Sequence, residues 1–571
     1  MAFYRRLGEL LLAAGTITPE ELDLGLKLQQ EQKGRLGEVL ISNNIITEDE
    51  LIESLQMQLG IEYIDLSKIN IPTELASVLP KNIAKQHQVV PVKVTPDSLY
   101  IAMSDPLNFY AIEDARKAVK KKIVPMVAHK AAIEHAIQVL YGNEGAARAI
   151  EDMKREASSQ GGQDNYNQDS AFVSNQLDDP TANNAPTIRL VNSIIERAIT
   201  ERASDIHLEP HEDEMVVRMR IDGMLRMVLT VPKDLQSSVI SRIKIMSGLD
   251  ISERRVPQDG RFNVRVKDKN IDLRISTLPT VYGEKIVARL LDKSGGNINK
   301  DSIGLSGKDL ESFDKMLKCR SGVLLIVGPT GSGKTTTMYA MIGEINKPEV
   351  NLVTLEDPVE YNIDGVNQVQ INEKTGLTFA SGLRSILRQD PDIIGVGEIR
   401  DGETAEIAMR SAITGHVVIS TIHTNDAVGT IERLVDIGVE PYLVASALRG
   451  VISQRLVRRI CPHCKKAYTP DDEELSELGL EPQEGLTFYK GEGCPHCFNT
   501  GYHGRTAVFE MLNVNSKVRR MIANGSSRLD IEAELKKPEN GFISLRDNAM
   551  RLVKEGVTTS SELMRVVSED D

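Results

Sequence analysis

A glycine-rich turn followed by a lysine and a threonine is the strongest chemical signal in the sequence. Residues 323–337 read VLLIVGPTGSGKTTT, which is an apolar strand followed by G-x-x-x-x-G-K-T. Backbone N–H groups of such a turn surround a phosphate, and the next helix directs its positive N-terminal end at the same charge. The pattern predicts that Lys334 reaches the β- and γ-phosphates of a nucleotide and that the Thr335 hydroxyl ligates Mg²⁺. The predicted nucleotide-binding residues are Gly328, Pro329, Thr330, Gly331, Ser332, Gly333, Lys334, Thr335 and Thr336.

Two apolar segments downstream of this turn end in carboxylates. LVTLEDPVE covers residues 352–360 and DIIGVGEIRD covers residues 392–401, so Glu360 and Glu398 each follow a predicted strand. Carboxylates at the C-terminal edge of a parallel sheet face the ligand crevice, where they can hold Mg²⁺ through water and polarise an attacking water. His416 in TGH and His423 in STIHTND come next. A histidine near a γ-phosphate can sense or neutralise developing charge.

Four of the five cysteines form two C-x-x-C pairs with 29 residues between them. The expected ligands of one tetrahedral Zn²⁺ are Cys461, Cys464, Cys494 and Cys497. Because four thiolates leave no open coordination position, we expect a structural zinc rather than a catalytic one. A histidine inside each pair, His463 or His496, leaves a mixed ligand set open. Cys319 stands alone and is expected to be a small buried apolar residue.

The elements that must position these residues form several predicted domains. Residues 297–571 alternate strand and helix patterns as far as about residue 450, which favours a mostly parallel sheet, and then add zinc knuckles (461–497) and C-terminal helices. Residues 187–296 hold a second set of strands, including MVVRMRID and NIDLRIST. Residues 142–186 start with a charged segment that could be helical and continue with a polar stretch rich in Gly, Asn and Gln, and this composition is typical of a flexible linker. Residues 61–141 form a smaller mixed α/β segment.

The first 60 residues contain an internal repeat. RLGELLLAAGTITPEELDLGLKLQ begins at Arg6 and realigns 29 positions later on RLGEVLISNNIITEDELIESLQMQ, which begins at Arg35. Each copy predicts a short helix, a turn and a second helix capped by Thr18 or Thr47. An arginine can engage guanine O6 and N7, and a glycine lets the backbone approach a phosphate. Two copies therefore suit a ligand with two guanines, and a purely structural helical module is the alternative.

A series of motifs in order resembles the secretion ATPases of type II secretion and type IV pili. The upstream motifs are ASDIHLEP, RMRIDG, VPQDGR, RISTLPT and GEKIVARLL, and the downstream ones are the phosphate loop, EDPVE, GVGEIRD and TGH with STIHTND. The resemblance implies an α/β multidomain fold in which a PAS-like α/β domain precedes a RecA-like P-loop ATPase core. It also implies a motor that hydrolyses ATP with Mg²⁺.

The same resemblance implies roles for individual residues. Glu398 would be the Walker B carboxylate that holds magnesium with Thr335, and Glu360 would activate water, although these two roles could be exchanged. His416 and His423 match the histidine motif. An added arginine favours phosphoryl transfer. The three candidate arginines, each of which could instead be an ordinary salt-bridged surface residue, are Arg261, Arg274 and Arg289.

The cysteine pairs and the long N-terminal region are similar to those of assembly (extension) motors rather than retraction motors. The repeat resembles the N-terminal module that binds cyclic di-GMP in some of these ATPases. The residues implied to bind it are Arg6, Leu7, Gly8, Gln29, Arg35, Leu36, Gly37 and Gln58. The resemblance further implies a homohexamer that acts on an inner-membrane platform protein to assemble a type IV pilus, with type II secretion as the alternative.

Composition limits the remaining classes of function. The net charge is −14, tryptophan is absent and aromatic residues make up 4% of the chain, which argues against a nucleic-acid partner and leaves a translocase as a distant alternative. A nucleotide switch that does not act as a motor is a further alternative. No apolar run approaches the roughly 18 residues that a membrane span needs. We expect a cytoplasmic protein that reaches the inner membrane through partners and does not insert into it.

Overall fold

The internal repeat forms two pairs of helices in this computed structural model, which describes residues 7–32, 36–43, 45–66, 69, 71–72, 75–106, 108–159, 185–266, 269–292, 298–481 and 486–567. The helices are α1 (Leu7–Ala14), α2 (Pro19–Gln32), α3 (Leu36–Ser42) and α4 (Glu48–Leu59). A capping box starts α4: the Thr47 hydroxyl accepts from the Glu50 N–H, and the Glu50 carboxylate accepts from the Thr47 N–H. Thr18 and Glu21 make the same reciprocal contacts. Both copies therefore start their second helix with the same local hydrogen bonds.

A three-stranded sheet follows the repeat. Its unit consists of α5 (Leu75–Val78), α6 (Lys81–His87), β1 (Val89–Val94), β2 (Ser98–Met103), α7 (Phe109–Val119), β3 (Lys122–Val127) and α8 (Lys130–Ser159). β1 pairs antiparallel with β2, and β2 pairs parallel with β3. Leu99 and Ile101 of β2 and Ile133 of α8 have no exposed surface and lie in one apolar core. The Tyr141 hydroxyl donates to the carbonyl of Leu79 at 2.7 Å, which fixes α8 to this core.

The helix α8 runs further than the sequence indicated. We expected a flexible linker at residues 142–186, but α8 continues to Ser159, and residues 160–184 lie outside the described residues. Ala146, Ala149 and Met153 are buried in the core of the next domain, against α9 (Pro186–Thr200). Their spacing of three and four residues places them on one face of a helix. The apolar side chains are few and small, which is why the composition alone suggested a linker.

A six-stranded antiparallel sheet forms the second domain. After α9 come β4 (Asp205–Pro210), β5 (Glu214–Ile221), β6 (Met224–Pro232), α10 (Lys233–Met246), β7 (Gln258–Val266), β8 (Lys269–Thr280) and β9 (Gly283–Asp292). The strand order is β6-β5-β4-β9-β8-β7. Alternate residues of β5, from Met215 to Ile221, are buried in one core with α9 and α10, as expected for a strand with one face on a core and one towards solvent. This sheet carries the three predicted arginines.

The predicted mostly parallel core sheet is confirmed. Its elements are α11 (Gly307–Leu317), β10 (Gly322–Val327), α12 (Lys334–Ile345), β11 (Leu352–Glu356), β12 (Asn367–Gln370), α13 (Phe379–Ile386), β13 (Ile393–Val396), α14 (Gly402–Ile413), β14 (Val417–Ile422), α15 (Gly429–Asp436), α16 (Pro441–Ala447) and β15 (Leu448–Ile460). The strand order is β12-β11-β13-β14-β10-β15-β18, where β18 (Tyr502–Asn513) alone runs antiparallel to its neighbour. Parallel strands covered on both faces are continuously apolar, as GVLLIV of β10 shows.

The cysteine pairs lie between the two long strands β15 and β18. The insertion that joins them contains β16 (Lys465–Tyr468), α17 (Asp472–Glu477) and β17 (Phe488–Gly491). The chain after β18 forms α18 (Ser516–Ala523), α19 (Arg528–Leu535), α20 (Leu545–Lys554) and α21 (Ser560–Val567). The β15–β18 pairing extends to Ile460 and Tyr502, so the insertion continues directly from the edge of the core sheet.

Candidate nucleotide site and metal centre

The phosphate loop connects the end of β10 to the start of α12. Gly328, Gly331 and Gly333 all have positive φ angles, of 146°, 80° and 89°. A side chain at Gly328 would place its Cβ 2.5 Å from the carbonyl oxygen of Gln454, so this position has no room for one. Glycine is therefore required both for the backbone conformation and for the close approach of β15. Thr335 is the second residue of α12, at the positive end of the helix.

Lys334 is the first residue of α12 and lies beneath the loop. Its side chain is buried, and Nζ donates to the carbonyl oxygens of Gly328 at 2.9 Å and Pro329 at 3.0 Å. Burial lowers the pKa of Lys334 to about 8, against the opposing effect of the Glu398 carboxylate. The ammonium group is thus held in a poorly solvated position by loop carbonyls, and phosphate oxygens would provide it with anionic partners.

Lys334, Glu398 and His423 come together at the carboxyl edge of the parallel sheet. Glu398 lies two residues after β13, and His423 directly follows β14. His423 Nε2 is 3.3 Å from a Glu398 carboxylate oxygen, and its Nδ1 is 3.5 Å from Lys334 Nζ. Because the Lys334 ammonium can only donate, Nδ1 must accept and Nε2 must carry the proton that faces Glu398. Arg400 forms an ion pair with the same carboxylate.

Glu360 lies four residues beyond the end of β11 and contacts the second domain. A carboxylate oxygen of Glu360 is 3.2 Å from Arg274 Nη2, and the same nitrogen donates to the carbonyl of Val359 at 3.4 Å. Arg274 therefore reaches from β8 to the loop that carries Glu360. The other two predicted arginines flank Arg274 in the same row of the sheet. Arg261 lies opposite it on β7 and is exposed, and Arg289 lies opposite it on β9, where its guanidinium is 3.1 Å from the Asp205 carboxylate.

The structure does not bring His416 to this site. His416 precedes β14, and its carbonyl accepts from the N–H of Gly322 at the start of β10. Its Nδ1 is 2.9 Å from the carbonyl oxygen of Ser411. The phosphate loop follows the C-terminal end of β10 and His423 follows the C-terminal end of β14, whereas His416 lies at the N-terminal end of β14. The two histidines are seven residues apart along an extended strand, which at about 3.3 Å per residue separates them by about 23 Å. Both histidines are predicted near the nucleotide because they flank one short strand. Within one chain, His423 lies near the phosphate loop and His416 does not.

Gln454 is a site residue that sequence reasoning missed. Its side-chain Nε2 donates to the carbonyl oxygen of Ser332 at 2.7 Å, and both groups are buried. This bond holds the phosphate loop on β15 and helps to fix the orientation of its N–H groups. Gln454 belongs to no phosphate-binding pattern and lies well over 100 positions along the chain. The available signal was a run of three polar residues, Ser453 to Arg455, inside the strand segment GVISQRLV.

The four paired cysteines converge on one point. Their sulfur atoms all lie within 4.8 Å of one another. The Cys461–Cys494 and Cys464–Cys497 sulfur pairs are separated by 3.6 Å and 3.8 Å. Four sulfurs at about 2.3 Å around a tetrahedral zinc would be about 3.8 Å apart, so the donor set fits this metal. Zinc held there would be structural, because the four thiolates complete its coordination.

The histidines inside the cysteine pairs stack on each other. The rings of His463 and His496 have centroids 3.8 Å apart and an interplanar angle of 12°. The group that the described residues bring within ligand distance consists of cysteines alone. Of the two ligand sets that the sequence left open, the four-thiolate set is the one that the geometry favours. Cys319 lies apart from this cluster, and burial raises the pKa of its thiol.

The N-terminal repeat brings corresponding residues of its two copies together. A Cβ at Gly37 would be 3.3 Å from side-chain atoms of Leu7 and of Leu51, and one at Gly8 would be 2.6 Å from Leu22. The glycines therefore allow close packing of the helices, which is an additional reason for their presence. Leu36 is half-buried in the same core, and Gln29 lies at the C-terminal part of α2. Arg6 and Arg35 lie outside the described residues, as does the side chain of Gln58.

Among the helices of the described residues, none combines the length and the apolarity that a bilayer span requires.

Comparison with known proteins identifies two family matches and several relatives. A family described as "Type II/IV secretion system protein" matches residues 180–565, and the "MshEN domain" matches residues 59–147. The chain is 40% identical over 571 residues to the type IV pilus assembly ATPase PilB of Myxococcus xanthus, covering 99% of both chains. It is 48% identical over 386 residues to the type II secretion system protein E of Pseudomonas aeruginosa, covering 68% of this chain and 76% of that protein.

Solved structures support the same fold. The X-ray structure of the Legionella pneumophila ATPase DotB superposes with a TM-score of 0.50 at 20% identity, covering 66% of this chain and 95% of DotB. At that identity the likeness concerns the fold, a RecA-like core preceded by a smaller domain. Together with the phosphate loop and the Glu398 carboxylate near Lys334, the family and sequence matches show that the chain belongs to the type II/IV secretion system protein family and is a P-loop ATPase.

Proposed function

We propose that this ATPase is the motor of type IV pilus assembly, working as a homohexamer on an inner-membrane platform protein from the cytoplasmic side. The observation that carries the mechanical part is the contact between Arg274 of the second domain and Glu360 of the core. Arg274 belongs to the second domain and Glu360 belongs to the core. Because both would act on the nucleotide, hydrolysis depends on how the two domains are placed relative to each other.

The chemistry assigned to this site uses the residues described above. Lys334 and the N–H groups of the phosphate loop bind the β- and γ-phosphates, and Thr335 and Glu398 would hold Mg²⁺, which neutralises charge on the phosphates. Glu360 orients and deprotonates the attacking water. His423 links Glu398 to Lys334 and can respond to the loss of the γ-phosphate. Arg274 exchanges its contact with Glu360 for the γ-phosphate as the domains close, so the closed state stabilises the transferring group.

Type II secretion is the second candidate, since the relative from Pseudomonas aeruginosa carries that name. The full-length match to a pilus assembly ATPase favours pili. Deleting the gene and scoring surface pili and secreted enzymes in the same culture distinguishes the two. We expect pili to be lost and secretion to be retained. Complementation with the intact gene should restore pili, and a strain that keeps its pili but loses secreted enzymes would show the type II assignment to be the correct one.

We also propose that cyclic di-GMP binds the N-terminal repeat and regulates the motor. The proposal is supported by the paired motifs, by the contact between Leu7 of one copy and Gly37 of the other, and by the adjoining MshEN match. Since this contact brings the two copies together, their equivalent positions would form two neighbouring half-sites for a dinucleotide with two guanines. Arg6 and Arg35 would bind the guanines, and the residues that follow them, Leu7 and Gly8 with Leu36 and Gly37, would line the two half-sites. Gln29 and Gln58 would close them at the ends of the second helices.

Titration calorimetry of the full chain with cyclic di-GMP tests this regulatory site. We expect saturable binding that Arg6→Ala or Arg35→Ala weakens at least about fivefold, because each change removes one bidentate contact worth roughly 1–3 kcal/mol. Lys27→Ala is the matched control, since Lys27 is an exposed cation on α2 and the equivalent position of the second copy is Gln56, so the two copies do not share this charge. Absence of saturable binding by the unaltered chain, or equal weakening by the control change, would contradict the proposal.

A further inference from the structure

A fully buried carboxylate lies beside the nucleotide site and has no role in the chemistry described above. Glu356 ends β11 and is only 2% exposed. It accepts hydrogen bonds from the Thr354 hydroxyl at 2.6 Å, from Gln368 Nε2 at 3.0 Å and from the Tyr339 hydroxyl. All three donors are neutral groups. Glu356 therefore holds the single hydroxyl proton of Tyr339 in one direction.

The oxygen of that tyrosine has a second contact. Tyr339 belongs to α12, the helix that starts at Lys334, and is itself 2% exposed. Its Oη accepts from the backbone N–H of Glu360 at 3.3 Å. Because the proton is committed to Glu356, a lone pair of Oη is left to face this N–H. One hydroxyl thus connects the helix that binds phosphate to the loop that carries Glu360.

The neighbouring residue Tyr361 offers an internal comparison. Its ring contacts that of Tyr339 edge to face, with centroids 4.4 Å apart, and its carbonyl oxygen accepts from Gln368 Nε2 at 3.2 Å. The Tyr361 hydroxyl is also buried, but among the residues that the structure describes it has no hydrogen-bond partner. The two tyrosines share a packing environment and differ in whether their hydroxyl groups connect two elements.

We propose that Tyr339 is a positioning residue for ATP hydrolysis, whose hydroxyl, oriented by Glu356, holds Glu360 at a fixed distance from α12. This inference rests on the proposed role of Glu360 in activating water. Positioning matters because a catalytic group displaced by about 1 Å can lose as much as about 100-fold in rate. Nucleotide binding, which depends on Lys334 and the loop N–H groups, should not require this hydroxyl.

The protonation state of Tyr339 is consistent with this role. Burial, followed by the hydrogen bond to Glu356, raises the pKa of Tyr339 above its ordinary value. The hydroxyl therefore keeps its proton throughout the neutral range and remains a donor to Glu356. A phenolate could not make that bond, and it would place a second negative charge beside a buried carboxylate.

Steady-state kinetics of the full chain with Tyr339→Phe and Tyr361→Phe test the proposal. Both changes remove one hydroxyl and keep the ring contact. We expect Tyr339→Phe to lower kcat about tenfold and to change KM for ATP less than about threefold, which is the loss of one positioning hydrogen bond. Tyr361→Phe should keep kcat within about twofold of the unaltered chain. Equal losses in the two variants would overturn the proposal, because they would reflect a general disturbance of the tyrosine pair.

A double-variant comparison separates positioning from a general effect on the fold. If Tyr339 acts through Glu360, adding Tyr339→Phe to Glu360→Gln should not lower the single-turnover rate further, whereas independent effects would multiply. A Tyr339→Phe variant with normal kcat, together with an inactive Glu360→Gln variant, would refute positioning and leave the role of Glu360 intact. Full turnover by Glu360→Gln would refute that role, and the positioning proposal with it.

Discussion

Replacing Lys334 with alanine is expected to lower the rate of ATP hydrolysis about 1000-fold while leaving the fold intact. Hydrogen bonds to charged groups contribute roughly 1.5–3 kcal/mol each, and Lys334 would make at least two of them to the transferring phosphates. The loss of about 4 kcal/mol of transition-state stabilisation corresponds to three powers of ten in rate. Phosphate release at saturating ATP measures the effect directly.

The same substitution should not destabilise the protein. Burial lowers the pKa of Lys334 to about 8, so at neutral pH the fold holds an ammonium group that is less favourable there than in the unfolded chain. Alanine removes this unfavourable charge, and we expect the midpoint of thermal unfolding without nucleotide to stay unchanged or to rise. Lys347→Ala, at an exposed lysine just beyond the same helix, is the control and should keep normal turnover. Hydrolysis by Lys334→Ala at even a tenth of the normal rate would refute the site assignment.

Replacing Cys461 with serine is expected to release the bound zinc and to unfold the insertion between β15 and β18. Structural zinc sites contribute about 10–16 kcal/mol of apparent binding free energy at neutral pH, and Cys461 has no exposed surface from which a water could take its place. The buried apolar residues of the insertion, such as Leu478 and Phe488, lie in a core shared with α20 and α21, so we expect the unfolding midpoint of the C-terminal part to fall by at least about 10 °C. Metal content per chain and thermal unfolding measure the two effects.

Two control variants make the zinc prediction specific. Cys319→Ser changes the fifth cysteine, which lies outside the cluster, and should leave the metal content at one zinc per chain. His496→Ala removes a histidine inside the second pair and should also keep the zinc, because the four sulfurs form the ligand set by themselves. Zinc loss in His496→Ala would restore the mixed set, and full zinc occupancy in Cys461→Ser would exclude the four-thiolate site.

The sequence was most informative where short-range spacing determines the chemistry. The phosphate loop and the two cysteine pairs are recognisable because glycine, lysine and thiolate must lie at fixed positions to surround a phosphate or a metal. The approach of Glu398 to Lys334 follows from the parallel direction of the strands, since the residues that follow parallel strands lie at one edge of the sheet. That same rule separates His416 from the site, because His416 precedes its strand while His423 follows it.

Other features depend on partners that are distant in sequence and could not be predicted. Gln454 supports the phosphate loop from a strand far along the chain, and the Tyr339 hydroxyl acquires its partners only when β11 packs beside α12. Arg274 contacts Glu360, whereas Arg289 contacts Asp205, and this difference depends on how the second domain and the core meet. Local patterns contain no information on such distances.

The length of α8 has a mechanical consequence. Its 30 residues span about 45 Å, with Ile133 and Ile137 in the core of the three-stranded sheet and Ala149 and Met153 in the core of the six-stranded sheet. Both cores therefore pack on the same continuous helix. If α8 tilts relative to one core, the other core must move with it, and the displacement of that core increases with its distance along the helix. The six-stranded sheet carries Arg274, so α8 would transmit a movement of the three-stranded domain to the arginine that contacts Glu360.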